Sequence, residues 1–267
     1  MPKAFIPARA GAQSTAIAAA LQTAGWQVEG SSRHDTDDPH SRAKGADLLV
    51  LTVPQDHRPG AMVAFVDGWV TAATQGDIGR VILNLGGTPG PDEAHPFFAE
   101  MHAMRARVTE SGLPHVVLQP TVYLDNLAAP WAAEGLANGS IASPAKADAP
   151  LSWISHRTLA AWVAAVADGQ ADGRILPIGG PAALTGPEMA QEIGTVMGRD
   201  MTYAQIPLDA FADGMDAALG PPAGKRLAAI YAWLERDPGF MHVDPAEAAR
   251  FGVPLESAAD FAKRVLD

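Results

Sequence analysis

The sequence predicts an α/β protein built on a doubly wound parallel sheet. Along its first half, short apolar runs alternate with segments of helical period, as in a chain of strands and crossover helices. One of these runs, DLLVLTV at 47–53, is apolar almost throughout, which is typical of a strand buried on both faces. The 267 residues are 48% hydrophobic, enough for one large core.

Strands and helices can be placed in order along this pattern. In the first helix Ile17 and Leu21 share one face, Ser14 is the expected N-cap, and Gly25 ends it. Pro54 ends the third strand. The predicted strands are 3–7, 26–32, 47–53, 80–85, 114–119 and 174–178, with helices at 14–24, 62–73, 97–108 and 159–166.

The second half is predicted to be mainly helical. Residues 129–150 are rich in Ala, Gly, Pro and Ser without a clear period, so we expect a long excursion from the sheet. Thr185 and Glu188 have the spacing of a capping box, which opens a helix that stops at Gly198. One short strand is expected at 201–206.

Composition excludes several classes of function. With 30 acidic and 19 basic side chains the net charge is −11, opposite to that of a nucleic-acid-binding domain. The absence of cysteine excludes a disulfide framework and a thiol nucleophile. Because no apolar run approaches ~18 residues, we expect no membrane association and a cytoplasmic location. We expect the partner to be a small-molecule substrate. Whether it forms a homodimer stays open.

The turn after the first strand predicts a weakened nucleotide-binding loop. In a dinucleotide fold, glycines at this turn let a pyrophosphate approach the N-terminus of the first helix. The pattern G-x-x-G-x-x-G falls on Ala8, Gly11 and Ser14, so one glycine of three is present. Arg33, just past the second strand, is expected to select NADP(H) through its 2′-phosphate, and Pro54 is a further candidate cofactor contact. A turn that binds nothing and a solvated arginine are the alternatives.

Several segments carry a family resemblance. Gln119 and Thr158 replace the Arg and Asp that are usual in two of them. The segments SGLPHVVLQPTVYLDNL (111–127), LSWISHRTLA (151–160), LTGPEMAQEIGTVMGRDMTYAQIPLDAF (184–211) and GADLLVLTVPQD (45–56) resemble the NmrA-like branch of the atypical short-chain dehydrogenase/reductases.

This resemblance implies a Rossmann core with an NADP(H) cleft at the carboxyl ends of its strands. The core would comprise 1–130 and 151–178, and a mostly helical substrate subdomain would comprise 131–150 and 179–267. Members of the family include reductases of quinones and aromatic substrates, and also co-regulators that bind the dinucleotide without catalysis.

The proton relay that the resemblance implies is missing from this chain. Its Tyr and Lys positions fall on Phe97 and Met101, and its Ser falls near Asn84. Phe and Met cannot exchange a proton, and both lie on an apolar helical stripe, so we expect them in the core.

Other side chains could replace the relay. Tyr123 and Asn126 follow the fifth strand, at the edge where open α/β sheets bind ligands. His95 lies in the loop after the fourth strand, and an imidazole can act as a general acid or base. Asp125 either lines the same pocket or caps the next helix, and lone histidines such as His102 are more often structural. No pair of residues has a spacing that demands a metal.

Three functional hypotheses follow. The first is an NADP(H)-dependent reductase of a small quinone, aromatic or conjugated substrate that takes its proton from water. The second is a cofactor-independent cyclase, lyase or isomerase that reuses the cleft, which the two lost glycines favour. The third is a non-catalytic NADP(H) sensor, which the lost relay together with Arg33 favours.

Overall fold

The computed structural model describes residues 1–31, 39–54 and 56–265. Its elements, in chain order, are β1 (Lys3–Ile6), α1 (Ala12–Thr23), β2 (Gln27–Gly30), α2 (Pro39–Ala43), β3 (Leu48–Thr52), α3 (Ala61–Gln75), β4 (Val81–Asn84), α4 (Pro96–Thr109), β5 (His115–Pro120), a 3₁₀ helix (Leu124–Ala128), α5 (Pro130–Ala137), β6 (Ser140–Ser143), α6 (His156–Val166), β7 (Arg174–Ile178), α7 (Gly186–Met197), β8 (Thr202–Gln205), α8 (Leu208–Leu219), α9 (Ala223–Leu234), α10 (Ala246–Arg250) and α11 (Ala258–Val265).

The chain divides into two compact units, each assembled from several segments. Unit 1 comprises Met1–Pro120, His156–Ile178 and Ala248–Pro254, and unit 2 comprises Thr121–Ser155, Gly179–Glu247 and Leu255–Asp267. The expected core boundaries differ from these. Residues 121–130 and 151–155 belong to unit 2 because Tyr123 bridges to Ile154 and Leu124 N–H donates to the Ile154 carbonyl at 2.9 Å. Residues 248–254 belong to unit 1.

Unit 1 is a six-stranded parallel sheet in the order β2-β1-β3-β4-β5-β7. Every neighbouring pair is parallel, which confirms the predicted fold class. The middle strands are buried on both faces: the successive residues Leu49 and Val50 of β3 and Ile82 and Leu83 of β4 are all 0% exposed. This burial explains why these segments are continuous apolar runs in the sequence.

Unit 2 is mainly helical, with a two-stranded parallel sheet formed by β6 and β8. The capping box is confirmed: Thr185 Oγ1 accepts from the Glu188 N–H, Glu188 Oε2 accepts from the Thr185 N–H at 2.9 Å, and Gly198 ends α7 in the left-handed region at φ +63°. The expected excursion at 129–150 instead holds α5 and β6. Its strand was missed because β6 is stabilised by pairing with β8, which is distant in sequence.

The start of α1 also differs from the prediction. Gly11, not Ser14, is the N-cap, and the helix begins at Ala12. Ser14 lies inside the first turn and is 3% exposed, so its side chain faces the interior. The helix begins earlier because the chain leaves β1 through a tight turn at Ala8–Gly11, closed by a hydrogen bond from the Gly11 N–H to the Ala8 carbonyl.

Candidate functional site

The loop between β1 and α1 keeps the backbone of a glycine turn without the glycine. Ala8 has φ +52°, in the left-handed region that glycine adopts without strain and that costs other residues ~1–2 kcal/mol. It occupies the first glycine position of the predicted nucleotide motif. The Arg9 N–H donates to the Ser31 carbonyl at 3.0 Å, which ties the loop to the end of β2.

The N-terminus of α1 opens onto this loop. Its N-cap, Gly11, has no side chain that could satisfy the N–H groups of the first turn, and no side-chain cap is present. An uncapped helix N-terminus with a glycine at the cap favours a bound anion, because the N–H groups and the helix dipole both point to it. Of the predicted cofactor contacts, Ala8 and Gly11 lie in this turn, whereas Ser14 lies in the first turn of α1 with its side chain buried.

The carboxyl end of β2 holds two arginines close to one glycine. A Cβ on Gly30 would lie 2.5 Å from the Ile6 carbonyl oxygen and 2.9 Å from Arg9 Cβ, so only glycine fits here. Arg42 Nη2 donates to the Gly30 carbonyl at 2.9 Å. Arg33 lies outside the described residues, so its predicted contact stays a prediction. Arg42 was missed by the sequence analysis because its position depends on how the chain returns to β2.

Neutral polar side chains end the middle strands of unit 1. Asn84 is 0% exposed, its Nδ2 donates to Gln13 Oε1 at 2.8 Å, and its Oδ1 accepts from the Gly86 N–H at 3.1 Å. Thr52 is the register partner of Asn84 and therefore lies on the same face, which α1 covers. Its Oγ1 is buried without a hydrogen-bond partner among the described residues. Pro54, two residues on, is half-buried at the end of this strand.

Gln119 lies on the other face of the sheet. It follows Leu118, the register partner of Asn84, so its side chain points away from α1. Gln119 is 8% exposed, and its Nε2 has no hydrogen-bond partner within the described ranges. The family resemblance places an arginine here, so this chain has a neutral amide in place of a permanent charge.

The two relay positions on α4 are occupied by buried apolar side chains. Phe97 is 6% exposed and Met101 is 2% exposed, which confirms them as core residues. Met101 Cε also lies against the loop after β4, 3.4 Å from the place where a Cβ on Gly87 would be. No ionisable group can take part in chemistry from either position.

The three residues proposed to replace that relay belong to different units. His95 belongs to unit 1, where it is the N-cap of α4: its Nδ1 accepts from the Phe97 N–H at 3.3 Å, and its ring lies 5.3 Å from that of Phe98. Tyr123 and Asn126 belong to unit 2, at the start of the 3₁₀ helix, where Tyr123 is 6% exposed and Asn126 is exposed. Asp125 does not cap that helix, since Tyr123 is its N-cap.

One exposed ion pair lies in the loop after β3. The Arg58 guanidinium donates to both carboxylate oxygens of Asp56, at 2.9 and 2.5 Å. These hydrogen bonds lower the pKa of Asp56 to about 2. The carboxylate therefore stays charged and paired through the physiological range, so it is no candidate for a general acid.

Comparison with known proteins identifies the family. The profile of the NmrA-like family matches residues 12–251. The chain belongs to the NmrA-like family. None of the helices in the described ranges of this NmrA-like protein is long and apolar enough to cross a membrane.

Two characterised relatives of this NmrA-like protein are named as reductases. It is 25% identical over 188 residues to a (4-alkanoyl-5-oxo-2,5-dihydrofuran-3-yl)methyl phosphate reductase of Streptomyces griseus, a match that covers 68% of this chain and 63% of that protein. It is 24% identical over 268 residues to an NAD(P)H azoreductase of Xenophilus azovorans, with 98% and 91% covered.

Solved structures share its fold across nearly the whole chain. A nucleoside-diphosphate-sugar epimerase of Staphylococcus aureus has a TM-score of 0.79 at 17% identity, covering 98% of this chain and 100% of that one. A Citrobacter triphenylmethane reductase complexed with NADP(H) has a TM-score of 0.76 at 15% identity, with 98% and 99% covered. An Escherichia coli NADPH-dependent quinone oxidoreductase also has 0.76, at 16% identity with 99% and 100% covered.

Proposed function

We propose that this protein is an NADP(H)-dependent reductase of a small quinone, aromatic or other conjugated acceptor. The observation that carries the proposal is the left-handed backbone at Ala8, φ +52°. An alanine held in this conformation is strained, and such strain concentrates at functional sites. The strained turn keeps the N-terminus of α1 open to an anion, which is what a pyrophosphate requires.

In this proposal, unit 1 would supply contacts for the pyrophosphate, the 2′-phosphate and the adenosine half of the dinucleotide. The first-turn N–H groups of α1, above the cap Gly11, would hold the pyrophosphate. The guanidinium groups of Arg9, Arg42 and Arg33 would face the 2′-phosphate at the end of β2, and Pro54 would contact the adenosine half. When bound, NADPH supplies a hydride to the acceptor.

The names of the relatives support a reductase of conjugated acceptors. One relative is named as an azoreductase, and two proteins of the same fold are named as a quinone oxidoreductase and a triphenylmethane reductase. Acceptors of this kind delocalise the charge that a hydride brings and can then take a proton from water. The buried Phe97 and Met101, which offer no proton, are compatible with that chemistry.

The same two buried side chains favour a second candidate, a sensor that binds NADP(H) and catalyses nothing. Without a titratable group at these two positions, the protein would retain nucleotide affinity and lose turnover. Turnover therefore decides between the two candidates, and nucleotide affinity alone does not.

The test combines binding and turnover. The purified protein is examined for bound nucleotide by absorbance and mass spectrometry, titrated with NADPH and NADH by calorimetry, and then assayed for NADPH consumption with menadione. We expect a preference for NADPH that Arg33→Ala reduces by roughly ten- to over a hundredfold, because a charge-assisted phosphate contact is worth ~1.5–3 kcal/mol. Phe97→Leu and Met101→Leu should keep the turnover.

Each other outcome selects another function. Nucleotide binding without turnover of any conjugated acceptor would identify the sensor. If neither nucleotide binds, both candidates fail and a cofactor-independent enzyme remains. Equal affinity of the wild type for NADPH and NADH would reject the role of Arg33.

A further inference from the structure

Asn84, at the carboxyl end of β4, joins two segments of unit 1 through its buried side-chain amide. Its Oδ1 accepts from the Gly86 N–H at 3.1 Å, at the start of the loop after β4. Its Nδ2 donates to Gln13 Oε1 at 2.8 Å, and Gln13 lies in the first turn of α1. One amide therefore connects the end of β4 to the helix N-terminus at which the pyrophosphate is proposed to bind.

These two contacts determine how the Gln13 amide is turned. A backbone N–H can only donate, so the Asn84 atom that faces the Gly86 N–H is the amide oxygen. The other end of the Asn84 amide is its NH2 group, which donates, so the Gln13 atom that receives this hydrogen bond is also an oxygen. The orientation of both amides thus follows from a single backbone donor, and Gln13 is left with its own NH2 group as the second end of its amide.

The NH2 group of Gln13 has no acceptor among the described residues. The side chain is half-buried, at a helix end with no side-chain cap and no acidic residue in its first turn. The Thr15 N–H donates to the Gly11 carbonyl at 2.8 Å, which leaves the N–H groups of the three preceding helical residues without an acceptor in the helix. The NH2 group of Gln13 is therefore a side-chain donor next to several unpaired backbone donors.

We propose that the NH2 group of Gln13 donates to a phosphate oxygen of the dinucleotide, and that Asn84 is the positioning residue that turns it there. The identity of the ligand rests on the proposed function. Asn84 lies near the position at which the family resemblance puts the relay serine. In this chain it then serves the binding of the nucleotide in place of proton transfer.

Gln13→Glu separates the donor from the structural contact. One oxygen of the glutamate still accepts from Asn84 Nδ2, whereas the other replaces the donor and repels a phosphate. By calorimetry, the NADPH affinity should fall by about tenfold or more, as expected for the loss of a hydrogen bond to a charged group. Without nucleotide, the variant should melt at the same or a higher temperature than the wild type, because an acidic side chain in the first turn suits the helix dipole.

Gln22→Glu is the matched control, because it makes the same change of charge at the other end of α1, where Gln22 is exposed. It should keep the NADPH affinity. Gln13→Met keeps the length of the side chain without its polar groups, and it should also lose about tenfold of the NADPH affinity. An unchanged affinity in Gln13→Met, or a loss in Gln13→Glu no larger than that in Gln22→Glu, would overturn the proposal.

The wild-type protein gives a direct readout of the donor by NMR. The side-chain NH2 signals that are missing from Gln13→Met belong to Gln13. On addition of NADPH these signals should shift and exchange more slowly with water. Signals that NADPH leaves unchanged would contradict a hydrogen bond from this group.

The role of Asn84 is tested in two backgrounds. Asn84→Ala removes the donor that holds the Gln13 oxygen, so the NADPH affinity should fall by about two- to tenfold in an otherwise wild-type protein. In Gln13→Met the donor to the phosphate is already absent, so Asn84→Ala should lower the NADPH affinity no further. Equal losses in the two backgrounds would reject Asn84 as the positioning residue.

The donor and the proposed function can fail separately. If Gln13→Glu loses NADPH affinity but the wild type consumes no NADPH with menadione, the donor stands and the reductase is rejected. If menadione is reduced while both Gln13 variants keep the NADPH affinity, the reductase stands and the donor is rejected. If the wild type does not bind NADPH, inorganic pyrophosphate is titrated instead: an affinity that Gln13→Met lowers retains the donor without the reductase, and no binding rejects both.

Discussion

Replacing Ala8 by glycine should stabilise the protein, although such a change usually destabilises one. The substitution relieves an alanine held at φ +52°, which costs ~1–2 kcal/mol. Glycine also gains freedom in the unfolded chain, which takes back ~0.4–1 kcal/mol. We therefore expect Ala8→Gly to raise the free energy of unfolding by about 0.5–1 kcal/mol.

Calorimetric melting can resolve this effect. In a chain of this size, 1 kcal/mol shifts the melting temperature by roughly 2–4 °C, so the expected rise is roughly 1–4 °C. Ala10→Gly is the control, because Ala10 is exposed in the same loop and is not among the residues with positive φ. In Ala10→Gly only the unfolded chain gains conformational freedom, so this variant should melt at a lower temperature than the wild type.

The comparison of Ala8→Gly with Ala10→Gly tests whether the turn is strained. If Ala8→Gly and Ala10→Gly destabilise the protein to the same extent, the turn at Ala8 holds no strain. The turn at Ala8 would then give no support to a retained nucleotide loop.

The remaining predictions concern α8, α9 and the loop after β3. Gly224→Ala should destabilise the protein by about 1–3 kcal/mol, because a Cβ there would lie 1.9 Å from the Ala212 carbonyl oxygen. A Cβ on Gly214 would meet nothing within 4 Å, so Gly214→Ala should stabilise α8 by up to ~1 kcal/mol. Denaturant titration measures both changes, and equal signs would reject the close approach of α9 to α8 at Gly224. In a carboxyl NMR titration, Asp56 should protonate at about 2 instead of the usual 3.8, and Arg58→Gln should return it toward that usual value. Since the pKa is lowered in the folded state, any stability from this pair is present above the usual value and lost as the pH falls through the lower one; an unchanged midpoint in Arg58→Gln would show that the pair does not form in solution.

The sheet of unit 1 was predictable because its strands are buried on both faces. Burial of this kind requires continuous apolar runs such as Leu48–Thr52, and such runs are visible without knowledge of the partners. Local signals also placed the capping box at Thr185, which depends on residues three apart. Structural features that are set by residues close together in the sequence can therefore be predicted from it.

Elements that form by pairing with residues distant in the sequence could not be predicted. Strand β6 forms against β8, some sixty residues later by its register of Ser140 with Thr202, and its short sequence carries no pattern of its own. The start of α1 was misplaced because a left-handed alanine is not a residue that sequence rules expect at a turn.

The division of the chain bears on how the protein can be dissected or tagged. The backbone passes between the two units five times, at 120/121, 155/156, 178/179, 247/248 and 254/255, so neither unit can be expressed as one continuous fragment. The last of these passages matter most for cloning. Phe251 supports unit 1, with its ring 5.7 Å from that of Trp162, while Phe261 of α11 is buried in the core of unit 2. A truncation before residue 248 would therefore strip packing from both halves at once, and a tag fused directly after α11 would lie next to residues on which unit 2 depends.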